Sequence, residues 1–98
     1  MKHDITIDKD LEEIIPSYLA NRQKDIEEME KSLTENNYKE IESIGHKLSG
    51  SAGSYGFDEL GKIGKDIEKA CKDDNKTLVK SLFAKYKQYI EGINISYE

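Results

Sequence analysis

Hydrophobic residues recur every three or four positions along most of the chain, the spacing that places them on one face of an α-helix. Short polar segments, such as Asp73-Asp74-Asn75, separate successive stretches. Because short connections favour antiparallel neighbours, the pattern predicts an all-α fold, an antiparallel up-and-down four-helix bundle. The stretches that show the spacing are residues 19–33, 38–55, 57–71 and 78–90.

The two ends of the chain and the start of the second long helix add detail to this prediction. A short acidic stretch at residues 8–14 predicts an additional short N-terminal helix that caps one end of the bundle. Asn37 is followed three residues later by Glu40, which is typical of a helix N-cap. The fourth helix is expected to fray toward Glu98. No alternation indicating a β-strand is identified, and the chain is interpreted as one domain over residues 1–98.

Composition narrows the class of protein. The chain has 98 residues and a net charge of −5, with acidic and basic residues interleaved. The absence of a basic block argues against nucleic-acid binding, and no apolar run approaches the ~18 residues of a membrane span. The first residues are too polar for a signal peptide, and a single cysteine, Cys71, fits a reducing compartment. These features predict a cytoplasmic protein, and the lack of a large apolar patch favours a monomer.

Residues 45–57 read GHKLSGSAGSYGF, where glycine and serine leave only small side chains, or none, around one histidine. At 100° per residue, His46 lies roughly 140° from the centre of the apolar arc, so it is expected to face water. Gly50 and Gly53 follow it on the same face. A glycine inside a helix costs about 0.8–1 kcal/mol relative to alanine, so two of them at exposed positions indicate a surface that a partner approaches closely. Gly45 lies on the core side, where it is expected to allow close helix packing, and Gly56 is expected to end the helix.

An exposed imidazole that is neutral near pH 7 is a competent nucleophile. Ser49 and Ser43 are within reach of His46, but no oxyanion hole is visible that would support hydrolysis. A metal site needs three or four converging ligands, and Glu42 is the other good ligand on this face, so no metal site is predicted. No glycine-rich phosphate loop supplies a phosphoryl group. The remaining chemistry is a histidine that accepts a group from a partner and gives it up again.

Residues 46–57 closely resemble the signature of histidine-containing phosphotransfer (HPt) domains, broadly H-x-L-K-G-[SA]-[SA]-x-x-x-G. The likeness extends to residues 19–22 upstream, to Ile67-Glu68 downstream and to the length, so it covers nearly the whole chain. The resemblance implies a four-helix bundle whose histidine takes a phosphoryl group from a receiver-domain aspartate and passes it to another receiver. It also implies a phosphocarrier without kinase activity of its own.

The resemblance further implies roles for single residues. His46 would be phosphorylated on Nε2, and Glu68 matches the position of a polar residue that holds the other ring nitrogen. A carboxylate there would accept a hydrogen bond from Nδ1–H, fixing the tautomer and raising nucleophilicity. Glu42, one turn back, could act similarly. Residues expected to support the site are Lys47, Ser49, Gly50, Glu68 and Glu42, and those expected in the docking surface are Ser43, Gly53, Lys62 and Lys65.

One position departs from the family pattern, because Ser49 stands where many members have lysine. Lys47 keeps a positive charge beside His46, but it points about 100° away around the helix. Its stem could reach an acidic rim on the partner. We therefore expect one of two outcomes. Either phosphohistidine is less stabilised than in relatives, or Lys62 or Lys65 on the next helix compensates for the missing lysine.

Phosphoryl transfer depends on positioning and on charge neutralisation, usually with Mg²⁺. This chain has no carboxylate cluster for that metal, so the receiver partner is expected to supply it and no cofactor is expected here. The expected partners are response-regulator receiver domains and a sensor or hybrid histidine kinase. Two alternatives stay open: a receiver-binding module of the same fold that is not phosphorylated, which Ser49 favours, and an unrelated helical adaptor.

Overall fold

The computed structural model describes residues 3–98, and four α-helices dominate it. The prediction of a mostly helical chain with four long helices is confirmed. In chain order the elements are β1 (His3–Ile7), α1 (Ile15–Thr34), α2 (Tyr38–Ser51), α3 (Asp58–Lys72), α4 (Lys76–Glu91) and β2 (Ile93–Tyr97), with short 3-10 segments at Lys9–Leu11 and Ala52–Tyr55.

The helices α2 and α4 begin in the same way. The side-chain oxygen of Asn37 accepts a hydrogen bond from the backbone N–H of Glu40 at 3.3 Å, so the predicted cap is confirmed. The side-chain oxygen of Asn75 accepts from the N–H of Leu78 at 3.2 Å. Each cap satisfies one of the backbone donors that a helix start leaves free, which is worth about 1 kcal/mol.

The helices surround one hydrophobic core, to which each contributes its apolar stripe. α2 packs most extensively on α3, α3 also contacts α4, and α1 contacts both α2 and α4. Burial of each large apolar side chain contributes about 1.5–3 kcal/mol, so packing stabilises helices that would be marginal in isolation. The large side chains that are fully buried include Tyr86, Phe57, Ile7, Ile15, Met29, Ile41, Leu48, Leu60, Ile63, Ile67 and Val79.

The helical bundle agrees with the predicted all-α class, but the expectation that the chain has no strands is wrong, because the two ends of the described chain pair as a parallel two-stranded sheet. The register runs from His3 opposite Ile93 to Ile7 opposite Tyr97. The predicted short N-terminal helix at residues 8–14 is not confirmed, because the regular structure in that stretch is limited to the 3-10 segment Lys9–Leu11.

The predicted fraying toward Glu98 is wrong, because Ile93–Tyr97 form the strand β2 and pair with β1. Alternate residues of both strands pack against the core, as Ile5 and Ile95 do, while their neighbours face solvent. Each strand also supplies hydrogen-bond partners for the backbone of the other, which neither could obtain alone. The sheet therefore fixes both segments on the helical bundle.

Gly56 ends the helical run after α2, as predicted, although the last turn is a 3-10 segment. Its φ of +89° lies in the left-handed region, which favours glycine. A Cβ at this position would also lie 2.8 Å from the Cδ1 atom of Ile7, so the end of that side chain would have to shift. The turn at Gly56 then leads through the buried Phe57 into α3.

Among residues 3–98, no helix combines the length and the apolar character needed to span a bilayer.

Candidate functional site

The backbones of α2 and α3 approach each other closely at two glycines. A Cβ on Gly64 would lie 2.8 Å from the carbonyl oxygen of Gly45, from Leu48 Cβ and from the backbone nitrogen of Ser49. A Cβ on Gly45 would lie 2.8 Å from the carbonyl oxygen of Gly64. Gly45 therefore has the packing role that its core-side position predicted. Sequence reasoning missed Gly64, whose signal was its place in the apolar stripe of α3.

This close approach brings a carboxylate of α3 to the imidazole of α2. The side chain of His46 is 73% exposed, and its Nδ1 atom lies 3.0 Å from Oε2 of Glu68, whose side chain is 18% exposed. The same Oε2 atom lies 3.3 Å from Nζ of Lys72, one turn further along α3. Glu68 is thus the shared acceptor of an imidazole and an ammonium group.

The charge state of Glu68 determines which ring nitrogen of His46 is free. Partial burial acts to raise the pKa of the Glu68 carboxyl, but hydrogen bonds from Lys72 and His46 outweigh it and lower that pKa below its usual value. An ionised carboxylate can only accept, so Nδ1 carries the hydrogen. In the neutral imidazole, Nε2 then keeps its lone pair. The exposed ring is therefore held in the tautomer in which Nε2 carries the free lone pair.

An open depression of about 520 Å³ lies beside this imidazole, between α2 and α3. It brings together six residues that sequence analysis placed in the site or docking surface, and it adds Asp58 and Gly61, which were missed. The lining residues are His46, Ser49, Gly53, Asp58, Gly61, Lys62, Lys65 and Glu68.

The surface that follows His46 along α2 and the next 3-10 segment has no side chain at Gly50 or Gly53. A Cβ on Gly50 would meet nothing within 4 Å, and one on Gly53 would meet only the Asp58 side chain, at 3.7 Å. These two glycines therefore have no packing role within the chain, as their predicted exposure required. Their place beside His46 leaves backbone accessible to an approaching molecule.

The hydroxyl of Ser49 is occupied within its own helix. It donates a hydrogen bond to the backbone carbonyl oxygen of His46 at 2.8 Å. The side chain lines the depression, but its proton is directed to the helix backbone. Ser49 therefore adds no positive charge to the site and has its donor already engaged.

The structure does not bring three other predicted residues to the imidazole. Glu42 acts elsewhere: burial, and then the negative charge of Glu42, raise the pKa of the Cys71 thiol to about 11. The charge of Lys47 acts on Asp25 of α1, which agrees with its expected direction away from the histidine. Ser43 is half-buried and does not line the depression.

No group of three or more histidine, cysteine, aspartate and glutamate side chains is arranged to hold a metal ion within residues 3–98. The functional groups around the depression are the imidazole, the carboxylates of Glu68 and Asp58, the hydroxyl of Ser49 and the amines of Lys62 and Lys65.

These features define the class of small helical bundles that present one oriented, surface-exposed histidine beside an open depression. The family model for the Hpt domain matches residues 13–94. The chain therefore belongs to the Hpt domain family, whose members are phosphocarriers in two-component signalling and interact with receiver domains and histidine kinases. No curated protein and no solved structure is significantly similar to the chain.

Proposed function

We propose that His46 is the phosphoacceptor of a phosphorelay, which takes a phosphoryl group from the aspartyl phosphate of one receiver domain and passes it to another. The observation that carries the proposal is the 3.0 Å contact between Nδ1 of the exposed His46 and Oε2 of Glu68. It leaves the Nε2 lone pair directed away from the carboxylate, at a surface that a second protein can reach.

In the proposed transfer step, one bond to phosphorus forms and one breaks. The Nε2 lone pair of His46 attacks phosphorus, the bond from phosphorus to the aspartyl oxygen breaks, and the aspartate leaves as a carboxylate. The ring gains positive charge as the new N–P bond forms, and the Glu68 carboxylate at Nδ1–H stabilises that charge. The reverse sequence returns the phosphoryl group to an aspartate of the next receiver.

The chain would supply the nucleophile and the docking surface, while the receiver domain supplies Mg²⁺. On this account the protein has no kinase activity of its own and binds no cofactor. We place it in the cytoplasm, where receiver domains and sensor or hybrid histidine kinases act, and we infer a monomer because the imidazole must stay accessible.

The same proposal includes the up-and-down arrangement of the bundle. Gly45 of α2 faces Gly64 and Glu68 of α3, whereas Ala52, directly after α2, faces Gly61, earlier in α3. Contacts that run in opposite chain directions are those of antiparallel helices. The contacts of α1 with both α2 and α4 support the closed four-helix arrangement.

Lys62 and Lys65 are the cations proposed to neutralise the phosphoryl group. Family members that place lysine at position 49 of this numbering carry that charge on the histidine's own helix. Here the Ser49 hydroxyl is bonded to the carbonyl of His46, and the two lysines line the same depression from α3.

Replacing Glu68 with alanine is expected to slow phosphoryl transfer about tenfold, because the ring loses the acceptor that fixes its tautomer. Nitrogen NMR of the imidazole should show a larger population with hydrogen on Nε2. Glu42→Ala is the matched control, since it removes a carboxylate one turn before His46 that does not contact the ring. Equal rates and unchanged tautomer populations in Glu68→Ala would contradict the positioning role.

The test of the function is transfer from a panel of phosphorylated receiver domains to the wild-type chain in the presence of Mg²⁺. The expected result is label on this chain that is stable in base and lost in acid, with at least one receiver as donor. A phosphate that is stable in acid would indicate an acceptor other than histidine.

A receiver-binding module that is not phosphorylated is the second candidate. It is favoured by Ser49, which stands where many family members have lysine. It predicts a receiver that binds wild type and His46→Gln equally and never transfers phosphate to either. Measuring binding and transfer with the same receiver separates the two functions.

A further inference from the structure

Four lysines form a row along one face of α3. Their spacing of three, four and three residues places them within one helical stripe, and all four are exposed. We call this set the α3 lysine row, and it consists of Lys62, Lys65, Lys69 and Lys72. A continuous cationic stripe is notable in a chain whose net charge is −5, because the average surface is acidic.

The α3 lysine row runs along the histidine site. Lys62 and Lys65 line the depression that contains His46. Lys65, Lys69 and Lys72 line a second open depression of about 240 Å³, which also includes Asp66 and Glu68. Glu68 belongs to both, so the two depressions form one continuous surface.

The two ends of the row differ in how their charge is compensated. Lys69 pairs with Asp73 at 3.4 Å, and Lys72 pairs with Glu68 at 3.3 Å. Within residues 3–98, no ion pair forms to Lys62 or Lys65, although Asp58 and Asp66 are on the same helix. The two lysines without an ion pair therefore lie at the end of the row that lines the histidine depression, where Asp58 and Glu68 are the neighbouring carboxylates.

We propose that the α3 lysine row is the electrostatic docking surface for the acidic rim of a receiver domain, with Lys62 and Lys65 as its main contacts. The proposal rests on the proposed function. A receiver that holds Mg²⁺ around an aspartyl phosphate must cluster several carboxylates there, and transfer brings that cluster to His46. A cationic stripe beside the nucleophile accelerates encounter with such a partner and fixes its orientation.

The experiment compares two double variants that remove the same charge. Lys62→Gln/Lys65→Gln alters the row, and Lys24→Gln/Lys31→Gln alters two exposed lysines of α1, a helix that packs on α2 and α4. For each, the dissociation constant and the second-order transfer rate are measured with one cognate receiver at low and high salt. The half-life of phosphohistidine is measured on the isolated carrier.

We expect the α3 double variant to bind and react about tenfold more weakly at low salt, with the difference shrinking at high salt. The α1 double variant should change by less than about twofold on the same electrostatic grounds. Equal losses of binding and transfer in both variants would show that only the net charge of the chain matters, which would overturn the proposal. A shortened phosphohistidine half-life with unchanged association would also overturn it, since the lysines would then act on the phosphate alone.

Binding measurements distinguish this proposal from the function on which it rests. Receiver binding that depends on Lys62 and Lys65 without any transfer supports the docking surface and contradicts the phosphocarrier role. Transfer that proceeds normally in the α3 double variant supports the carrier and contradicts the docking surface. A failure of every receiver to bind contradicts both.

Discussion

Replacing His46 with glutamine is expected to abolish phosphate uptake and to leave the fold intact. Glutamine has no nucleophilic nitrogen, because its amide lone pair is delocalised, so no N–P bond can form. The side chain is 73% exposed and lies outside the hydrophobic core, so its loss should change the free energy of unfolding by less than about 0.5 kcal/mol. Transfer from the cognate receiver and urea unfolding measure the two quantities.

His3→Gln is the matched control, because His3 is the other histidine of the chain. It lies in β1, where its ring packs 4.7 Å from that of Tyr89 and its Nδ1 atom is 3.8 Å from Glu59. This variant should take up phosphate at the wild-type rate and lose a small amount of stability. Uptake that survives in His46→Gln, or that disappears in His3→Gln, would contradict the assignment of the phosphoacceptor.

Replacing Gly64 with alanine is expected to have a large effect on stability, about 2–3 kcal/mol of unfolding free energy. The new Cβ would lie 2.8 Å from three atoms of α2, two of them backbone, and backbone cannot move aside as a flexible side chain can. The gain in helix propensity of about 1 kcal/mol offsets only part of this overlap. Separation of the helices would also move Glu68 away from His46, so transfer should slow in the fraction that folds.

Gly50→Ala is the control for this prediction, since its Cβ would meet nothing within 4 Å. Here the propensity term acts alone, and the free energy of unfolding should rise by up to about 1 kcal/mol. Chemical denaturation followed by circular dichroism compares the two variants with wild type. A Gly64→Ala variant as stable as Gly50→Ala would show that the helices do not approach as closely as described.

The helices could be predicted because their signals are local. The three-and-four spacing of apolar residues and the caps at the start of α2 and the end of its last turn depend on residues a few positions apart. The side-chain oxygen of Asn37 accepts a hydrogen bond from the N–H of Glu40, and Gly56 adopts the positive φ that ends the helical run. Each of these features follows from the sequence without knowledge of the partner helix.

The terminal sheet could not be predicted in the same way. Each strand is five residues long, and its partner is about 90 residues away, so pairing depends on the bundle bringing the two ends together. The alternation of Ile5 and Ile7 with polar residues was the one local signal, and Ile93 and Ile95 repeat it. Such short alternation is ambiguous until a pairing strand is identified.

The site was predicted unevenly for a related reason. The exposure of His46 followed from the geometry of one helix. The contact with Glu68 depends on how closely two helices approach, and its prediction came from the family resemblance. Glu42 and Lys47 are near His46 in sequence, yet the imidazole donates its hydrogen bond to Glu68 of the next helix.

The most direct test of the phosphocarrier account is NMR of the phosphorylated, nitrogen-15-labelled chain, which identifies the atom bonded to phosphorus. The account predicts a single N–P bond at Nε2 of His46, with the hydrogen retained on Nδ1 opposite Glu68. A phosphate on Nδ1 of His46, on His3 or on an oxygen atom would contradict it.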